Sequence, residues 1–247
     1  MISKKLYSMQ IKTGQDFAQN LKQVEDFIAQ CGKNAIICAP EIVLSGFVYQ
    51  HMNEASEFSR FATERLLECS AKYKNTLVIT MIEQKNKKFF NNLKVFHKGE
   101  VIHKQSKSKL FSLGDEHLHF TAGKKDEISI FEIDGLKCAA LICFELRFVE
   151  LWEQIKGADL IFVSAQWGKA RKNQFEILCT ALAVANQAFV LASNSANDIM
   201  AKGSAIITPY GVVYKNDKKH FVACEVDISE TSRIRKYINT NIKINNV

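Results

Sequence analysis

Three short stretches of this 247-residue chain carry side chains that could act together on a carbonyl carbon. In Leu141-Ile-Cys-Phe-Glu-Leu-Arg-Phe148 an apolar run ends in Cys143, followed at once by a carboxylate and a guanidinium. Lys107-Ser-Lys-Leu-Phe111 sets two lysines ahead of an apolar anchor, and Glu41 directly follows the apolar run Ile36 to Ala39 and Pro40. A cysteine nucleophile needs a base to take its proton and a cation or N–H pair to hold the charge that forms on the attacked carbonyl. Glutamate, lysine and cysteine supply those roles, with the Phe144 backbone N–H as a further donor. Each group also has an ordinary reading: a buried thiol as packing, Glu41 as a helix cap or a surface ion pair, the lysines as a solvated charge run.

Other nucleophile arrangements fit less well. No G-x-S-x-G is present for a serine hydrolase. Of the six histidines, only His117 and His119 share a loop with other candidate groups. Arg171, in a loop that follows a strand and Trp167, is a candidate carboxylate binder, because a guanidinium fork matches a carboxylate.

The elements that must position these groups follow from periodicity. Leu136 to Ile142 reads as a buried strand and Glu145 to Lys156 as a helix, so Cys143 falls where strand gives way to helix. Free N–H groups at a helix start favour an anion and are expected to lower the thiol pKa. The chain opens with strand Lys5 to Ile11, helix Gln15 to Cys31 capped by Asp16 or Thr13, and strand Ala35 to Ala39. Helix Glu54 to Tyr73 and strand Thr76 to Glu83 continue a β-α-β-α-β rhythm. Hairpin strands Asn92 to His97 and Glu100 to Lys104 flank Lys98-Gly99. The polar loop Gln105 to Lys125 is long enough to be functional. Strands Glu127 to Ile133 and Leu160 to Ser164, helix Asn173 to Asn186, and strands Ala188 to Ser193, Gly203 to Thr208, Val212 to Tyr214 and Phe221 to Val226 complete the plan.

Composition narrows the class. With 47% hydrophobic residues the chain can build one large core. No run approaches the roughly 18 apolar residues of a membrane span, and Met1 to Lys12 lacks a signal-like apolar segment, so a cytoplasmic protein is expected. Seven scattered cysteines, an odd number without a C-x-x-C pair, argue against a disulfide framework or a zinc site. The net charge of +7 invites a nucleic-acid reading. Its lysines are dispersed, however, and the densest run, Lys85 to Lys88, reads as a hairpin tip; a footprint needs clustering. Neither a nucleic-acid nor a membrane partner is expected.

Taken in order, Ala39-Pro-Glu-Ile-Val-Leu-Ser-Gly-Phe47, Lys107-Ser-Lys-Leu-Phe111 and Leu141 to Phe148 resemble the motifs of the nitrilase-type carbon–nitrogen hydrolases. Phe90-Asn91, Gly157-Ala158-Asp159, Ser164-Ala-Gln-Trp167, Ala185-Asn186-Gln187 and Thr208-Pro-Tyr-Gly211 support the likeness, which covers nearly the whole chain except its tail. The resemblance implies an α/β fold, an α-β-β-α sandwich of two mixed sheets packed face to face with helices outside. It implies a Glu41-Lys107-Cys143 triad, selecting Lys107 over Lys109, with Phe144 N–H at the oxyanion. It also implies hydrolysis of a small linear amide through a thioester with release of ammonia, no metal or organic cofactor, and a homodimer or higher homo-oligomer. Phe47, Trp167 and Arg171 become the candidate substrate-binding residues. Residues 1–247 are expected to form one domain, with 229–247 a terminal arm docking on a neighbouring subunit.

Gly114-Asp-Glu-His-Leu-His-Phe120, with Ala122-Gly123, is similar to the branch that hydrolyses the omega-amide of 2-oxo acids, and in that likeness Glu116 is a second active-site glutamate. Some positions depart from the family: Glu145 stands for aspartate, Val149 for proline, and Leu182 and Ala185 for arginine and glutamate. Gln174-Phe175 replaces His-Trp of the branch. N-carbamoyl amine or nitrile hydrolysis is the alternative on the same scaffold, and a non-catalytic basic binding protein is a remote one.

Overall fold

The computed structural model describes residues 3–242. The chain begins with β1 (Ser3–Met9), α1 (Phe17–Cys31), β2 (Ala35–Cys38), α2 (Met52–Tyr73) and the meander β3 (Thr76–Lys85), β4 (Lys88–His97) and β5 (Glu100–Ser106). After the one-turn helix α3 (Glu116–His119) come β6 (Phe131–Ile133), β7 (Leu136–Ile142), α4 (Val149–Gln154), β8 (Leu160–Ala165) and α5 (Lys172–Asn186). β9 (Phe189–Asn194), β10 (Ala205–Ile207), β11 (Val213–Lys215), β12 (Phe221–Asp227) and α6 (Glu230–Tyr237) complete the described fold. Two mixed six-stranded sheets result, in the orders β12-β1-β2-β3-β4-β5 and β11-β10-β9-β8-β7-β6.

The sheets pack face to face because the inner strands are apolar on both sides. Along β2 the period-2 alternation sends Ile36 and Cys38 towards the second sheet, in one cluster with Leu141, Phe162 and Leu191. Ala35 and Ile37 face the helices, in a cluster with Val24 and Phe27 of α1 and Leu66 of α2. This is the expected α-β-β-α sandwich. Asp16, rather than Thr13, caps α1, accepting from the N–H groups of Ala18 and Gln19 at 2.9 and 3.0 Å.

Several local readings change. The segment after Cys143 is not one helix from Glu145 to Lys156. Cys143–Arg147 is a tight 3-10 turn, Phe148 is extended, and α4 starts only at Val149. A helical period cannot separate those states, because the carboxylate of Glu145 turns back onto the Ile142 N–H at 2.7 Å and closes the turn. The strand expected from Glu127 is shortened to Phe131–Ile133, since the Glu127 carboxylate accepts from the Ser106 N–H and residues 125–127 form a 3-10 turn. β3 and β4 run further than their apolar cores suggested and meet at a two-residue turn. Asn86 and Lys87 both take positive φ there, at 50° and 61°, and Lys85 pairs with Lys88.

The described part of the C-terminal segment packs on its own chain. Arg235, 3% exposed, donates to Asp159 Oδ1 and to the Ala158 carbonyl, each at 2.6 Å. Gln187 Nε2 donates to the Ile238 carbonyl at 2.7 Å. Residues 243–247 of the expected arm lie outside the described residues.

Candidate active site

Glu41, Lys107 and Cys143 come from segments far apart in sequence, and each follows the end of a strand. Glu41 lies two residues beyond Ala39, whose N–H continues the β2–β3 ladder to Val78. Lys107 follows β5 and Cys143 follows β7. The ends of parallel strands in open α/β sheets are where loops converge on ligands. β7, β8 and β9 are mutually parallel, and so are β1, β2 and β3.

Cys143 and the neighbour of Glu41 hold left-handed backbone that residues other than glycine rarely adopt. Cys143 has φ 49° and Ile42, next to Glu41, has φ 46°. Such strain persists only where the surroundings over-determine it, and it concentrates at sites of function. The Ile42 N–H donates to Thr80 Oγ1 at 2.5 Å, and the Glu41 carbonyl accepts from Gln166 Nε2 at 2.7 Å. Both bonds hold the Glu41 turn on the sandwich.

Lys107 is wholly buried, and its ammonium donates to Glu41 Oε1 at 2.7 Å and to Glu116 Oε1 at 2.8 Å. Its backbone is pinned on both sides: its N–H donates to the Asn91 carbonyl, and its carbonyl accepts from the Gly123 N–H, both at 2.8 Å. Glu116 opens α3 and accepts from the Phe111 N–H at 3.0 Å through Oε2. Burial by itself would lower the lysine's pKa; the carboxylates of Glu41 and Glu116, with the Glu116 hydrogen bond, outweigh it and push the pKa up, so the ammonium is fixed as a cation. Burial raises the Glu116 carboxyl, with Lys107 opposing and Glu41 adding to the rise.

The thiol behaves opposite to the expectation from a helix start. Cys143 is pushed well above the ordinary thiol range, first by burial and then by the Glu41 charge; Lys107 and the Gln166 N–H pull the other way. The turn it opens is only five residues long, too short to supply a helix dipole that would offset burial. The sulfur therefore rests as a thiol, and a neighbouring base must take its proton during attack. Glu41 Oε1 is occupied by Lys107 and by Asn91 Nδ2 at 2.8 Å, while its buried Oε2 has no hydrogen-bond partner among the described residues.

A cavity of about 400 Å³ opens over these groups. Its lining includes Glu41, Glu116, Cys143 and Phe144 together with Phe47, Trp167 and Arg171, so the residues singled out in the sequence share one space, with Lys107 buried behind it. Arg171 lies with its guanidinium 5.2 Å from the Phe111 ring centre, and Phe47 is 6.0 Å from the Lys107 ammonium. Among the described residues no histidine lines this cavity; His119 instead stacks on Tyr49 with ring centres 4.0 Å apart.

Residues 6–236 match the family model of the carbon–nitrogen hydrolases. The chain belongs to the carbon–nitrogen hydrolase family. It is therefore a hydrolase acting on carbon–nitrogen bonds other than peptide bonds. It is 31% identical over 234 residues to a 2-oxoglutaramate amidase of Bacillus subtilis, covering 90% of this chain and 89% of the relative. It is 27% identical over 211 residues to the omega-amidase YafV of Escherichia coli, covering 83% and 81% respectively. Saccharomyces cerevisiae Nit3, a nitrilase-superfamily member, shares the fold with a TM-score of 0.85 at 22% identity, over 96% of this chain and 95% of that one.

Three residues of this hydrolase's site were not singled out from sequence. Asn91 was noted only as a motif neighbour, yet it contacts both Glu41 and Lys107. Tyr49 lines the cavity and ties its hydroxyl to the Gly114 carbonyl at 2.5 Å. Arg147 also lines it, its guanidinium 4.6 Å from the Trp167 ring centre. A guanidinium four residues after a cysteine, in the same tight turn, was the available signal. The departures at Val149, Leu182 and Ala185 do not line the cavity: Leu182 is core, and the other two are exposed. Gln174 bonds Arg147 and Phe175 packs on Trp167 at 5.6 Å, so this pair forms the wall behind the cavity. Among the described residues, no group of three or more His, Cys, Asp or Glu side chains is placed to hold a metal ion.

Proposed function

We propose that this hydrolase cleaves the terminal amide of a small linear carboxylic acid, the omega-amide of a 2-oxo acid, through a Cys143 thioester. The observation that carries the chemistry is the division of labour on Glu41: Lys107 and Asn91 occupy one oxygen, and the other is buried and free beside the cavity that holds Cys143. Oε2 of Glu41 takes the thiol proton as sulfur bonds to the amide carbon. The carbonyl electrons move onto oxygen, where Lys107 and the Phe144 N–H hold the charge. The intermediate collapses, the C–N bond breaks, and Glu41 hands its proton to the departing ammonia. Water then gives a proton to Glu41 and attacks the thioester, releasing the carboxylate and restoring the thiol. Glu116 fixes the lysine and orients the amide. The residues call for no metal or organic cofactor.

The substrate class is supported by Arg147 and Arg171, two guanidiniums in a cavity whose lining beyond the reacting groups is largely apolar, with Phe47, Tyr49, Phe111 and Trp167 among its walls. Apolar walls favour a short methylene chain, and paired guanidiniums favour a carboxylate at its far end. The 2-oxoglutaramate amidase and omega-amidase relatives point the same way. We further infer a cytoplasmic enzyme, where thiols stay reduced, that acts as a homodimer.

The test is product analysis on a panel containing 2-oxoglutaramate, an N-carbamoyl amine and a nitrile, with intact-mass trapping of the acyl adduct. Ammonia without carbon dioxide from 2-oxoglutaramate, and an adduct on Cys143, are expected; Cys143→Ala loses at least about 10⁴-fold in turnover. Stoichiometric carbon dioxide would reassign the chain to carbamoyl hydrolysis, and activity retained in Cys143→Ala would overturn the mechanism.

A further inference from the structure

Glu145 is an acidic side chain wholly buried in the fold, and its carboxyl bonds none of the residues assigned to the reaction. Its Oε1 accepts from both the N–H and the hydroxyl of Ser108, at 2.6 and 2.9 Å, and its Oε2 accepts from the Ile142 N–H at 2.7 Å. Ser108 is the residue after Lys107, and Ile142 is the residue before Cys143. One carboxylate thus ties the peptide that follows the lysine to the strand end that delivers the thiol. We propose that Glu145 is a positioning residue for amide hydrolysis, a clamp that sets the distance between the Lys107 ammonium and the Cys143 sulfur. The inference rests on the triad reading above.

Two features make this a positioning role and not general packing. A buried carboxylate is costly unless its lone pairs are met, and here all three donors come from the two segments that carry reacting groups. Cys143 also sits at φ 49°, a conformation that needs a fixed frame on its N-terminal side. The Ile142 N–H bond supplies that frame one residue upstream, and the Ser108 bonds anchor the start of the 107–125 loop to the same point. Displacing one catalytic group by about 1 Å can cost about 10²-fold in rate.

The substitutions separate clamp from packing. Glu145→Gln keeps the volume and one acceptor but turns an NH₂ towards one of the N–H donors, so half of the clamp becomes donor against donor. Its kcat per acylatable site is expected to fall about 10²-fold with KM within about threefold. The rate of Cys143 alkylation by iodoacetamide, read by peptide mass against pH, should shift in the same variant, since the distance from sulfur to Lys107 sets how well the thiolate is held. Glu145→Asp keeps both charged acceptors on a shorter arm and should recover most of the loss. Ser108→Ala, which removes one donor of three, should show a smaller fall in kcat. Wild-type kcat per site and an unchanged alkylation profile in Glu145→Gln would overturn the clamp. So would a Glu145→Asp variant no better than Glu145→Gln. Alkylation needs no amide, so a wild type that turns over none of the panel would sink the proposed substrate while the clamp is still tested.

Discussion

Asn91 Nδ2 donates to Glu41 Oε1 at 2.8 Å while the Asn91 carbonyl accepts from the Lys107 N–H at the same distance. One residue of β4 therefore orients the base and anchors the lysine. A hydrogen bond to a charged group contributes about 1.5–3 kcal/mol. Asn91→Ala is thus expected to lower kcat by roughly 10- to 150-fold, with KM for 2-oxoglutaramate little changed, in steady-state ammonia release. A loss confined to KM would show that Asn91 acts on substrate binding instead.

Removing the lysine and removing the sulfur should have different structural consequences. Lys107→Ala strands Glu41 and Glu116 as buried carboxylates without their cation, at a cost of about 3–5 kcal/mol. Cys143→Ala strands no charge and should cost about 1 kcal/mol or less. Urea unfolding of the two variants checks this, and equal losses would contradict the charge argument.

Gly123 is the position where the loop returns against the lysine. A Cβ there would lie 2.4 Å from the Ser106 carbonyl oxygen, and the Gly123 N–H bonds the Lys107 carbonyl. Gly123→Ala forces that backbone apart, costing about 1–3 kcal/mol, and kcat should fall with it because Lys107 moves. Thermal melts and turnover measured on one preparation test the pairing of the two effects.

Buried thiols make the fold sensitive to alkali. Burial pushes the thiol of Cys31 up to about 12, those of Cys38 and Cys179 higher still, and that of Cys138 well above the ordinary thiol range. In the unfolded chain these groups ionise near about 8.5. The folded state then holds more protons than the unfolded one, so the stability they confer is complete below about pH 8.5 and is lost as pH rises towards the folded values. Urea midpoints should fall steadily from pH 8 to pH 10; a flat profile would contradict the reading.

Ile177 and Val184 of α5, with Tyr210, Val212 and Tyr214 of the β10–β11 hairpin, are exposed large apolar side chains, and Gly211 of that hairpin lies against Val184. Exposed apolar side chains on a helix and the hairpin beside it mark a candidate interaction surface, and we expect it to join two copies. Sedimentation should give a dimer at micromolar concentration, and Val184→Asp should shift it towards monomer. A monomeric native chain would refute the expectation.

Much of the architecture was legible because its strands are apolar on both faces and its helices on one. Ile36 to Ala39 and Leu136 to Ile142 announce buried strands, and Asp16 announces a cap. Boundaries governed by side-chain-to-backbone bonds were not legible. Glu145 and Glu127 each spend a carboxylate on a backbone N–H, and each changed the element expected around it.

Glu41 and Cys143 were named from residue type and from their place after apolar runs, and Lys107 from residue type with the family resemblance selecting it over Lys109, since a nucleophile, a base and a cation are properties of single side chains. What tertiary structure alone decided is their protonation and their partners. The pKa of Cys143 depends on burial and on Glu41, which lies about a hundred residues away in sequence, and its direction reversed the local expectation. Asn91, Arg147 and Tyr49 joined the site only when the sheets closed. A hydrogen bond or a field depends on distances of a few ångströms that no spacing along the chain encodes.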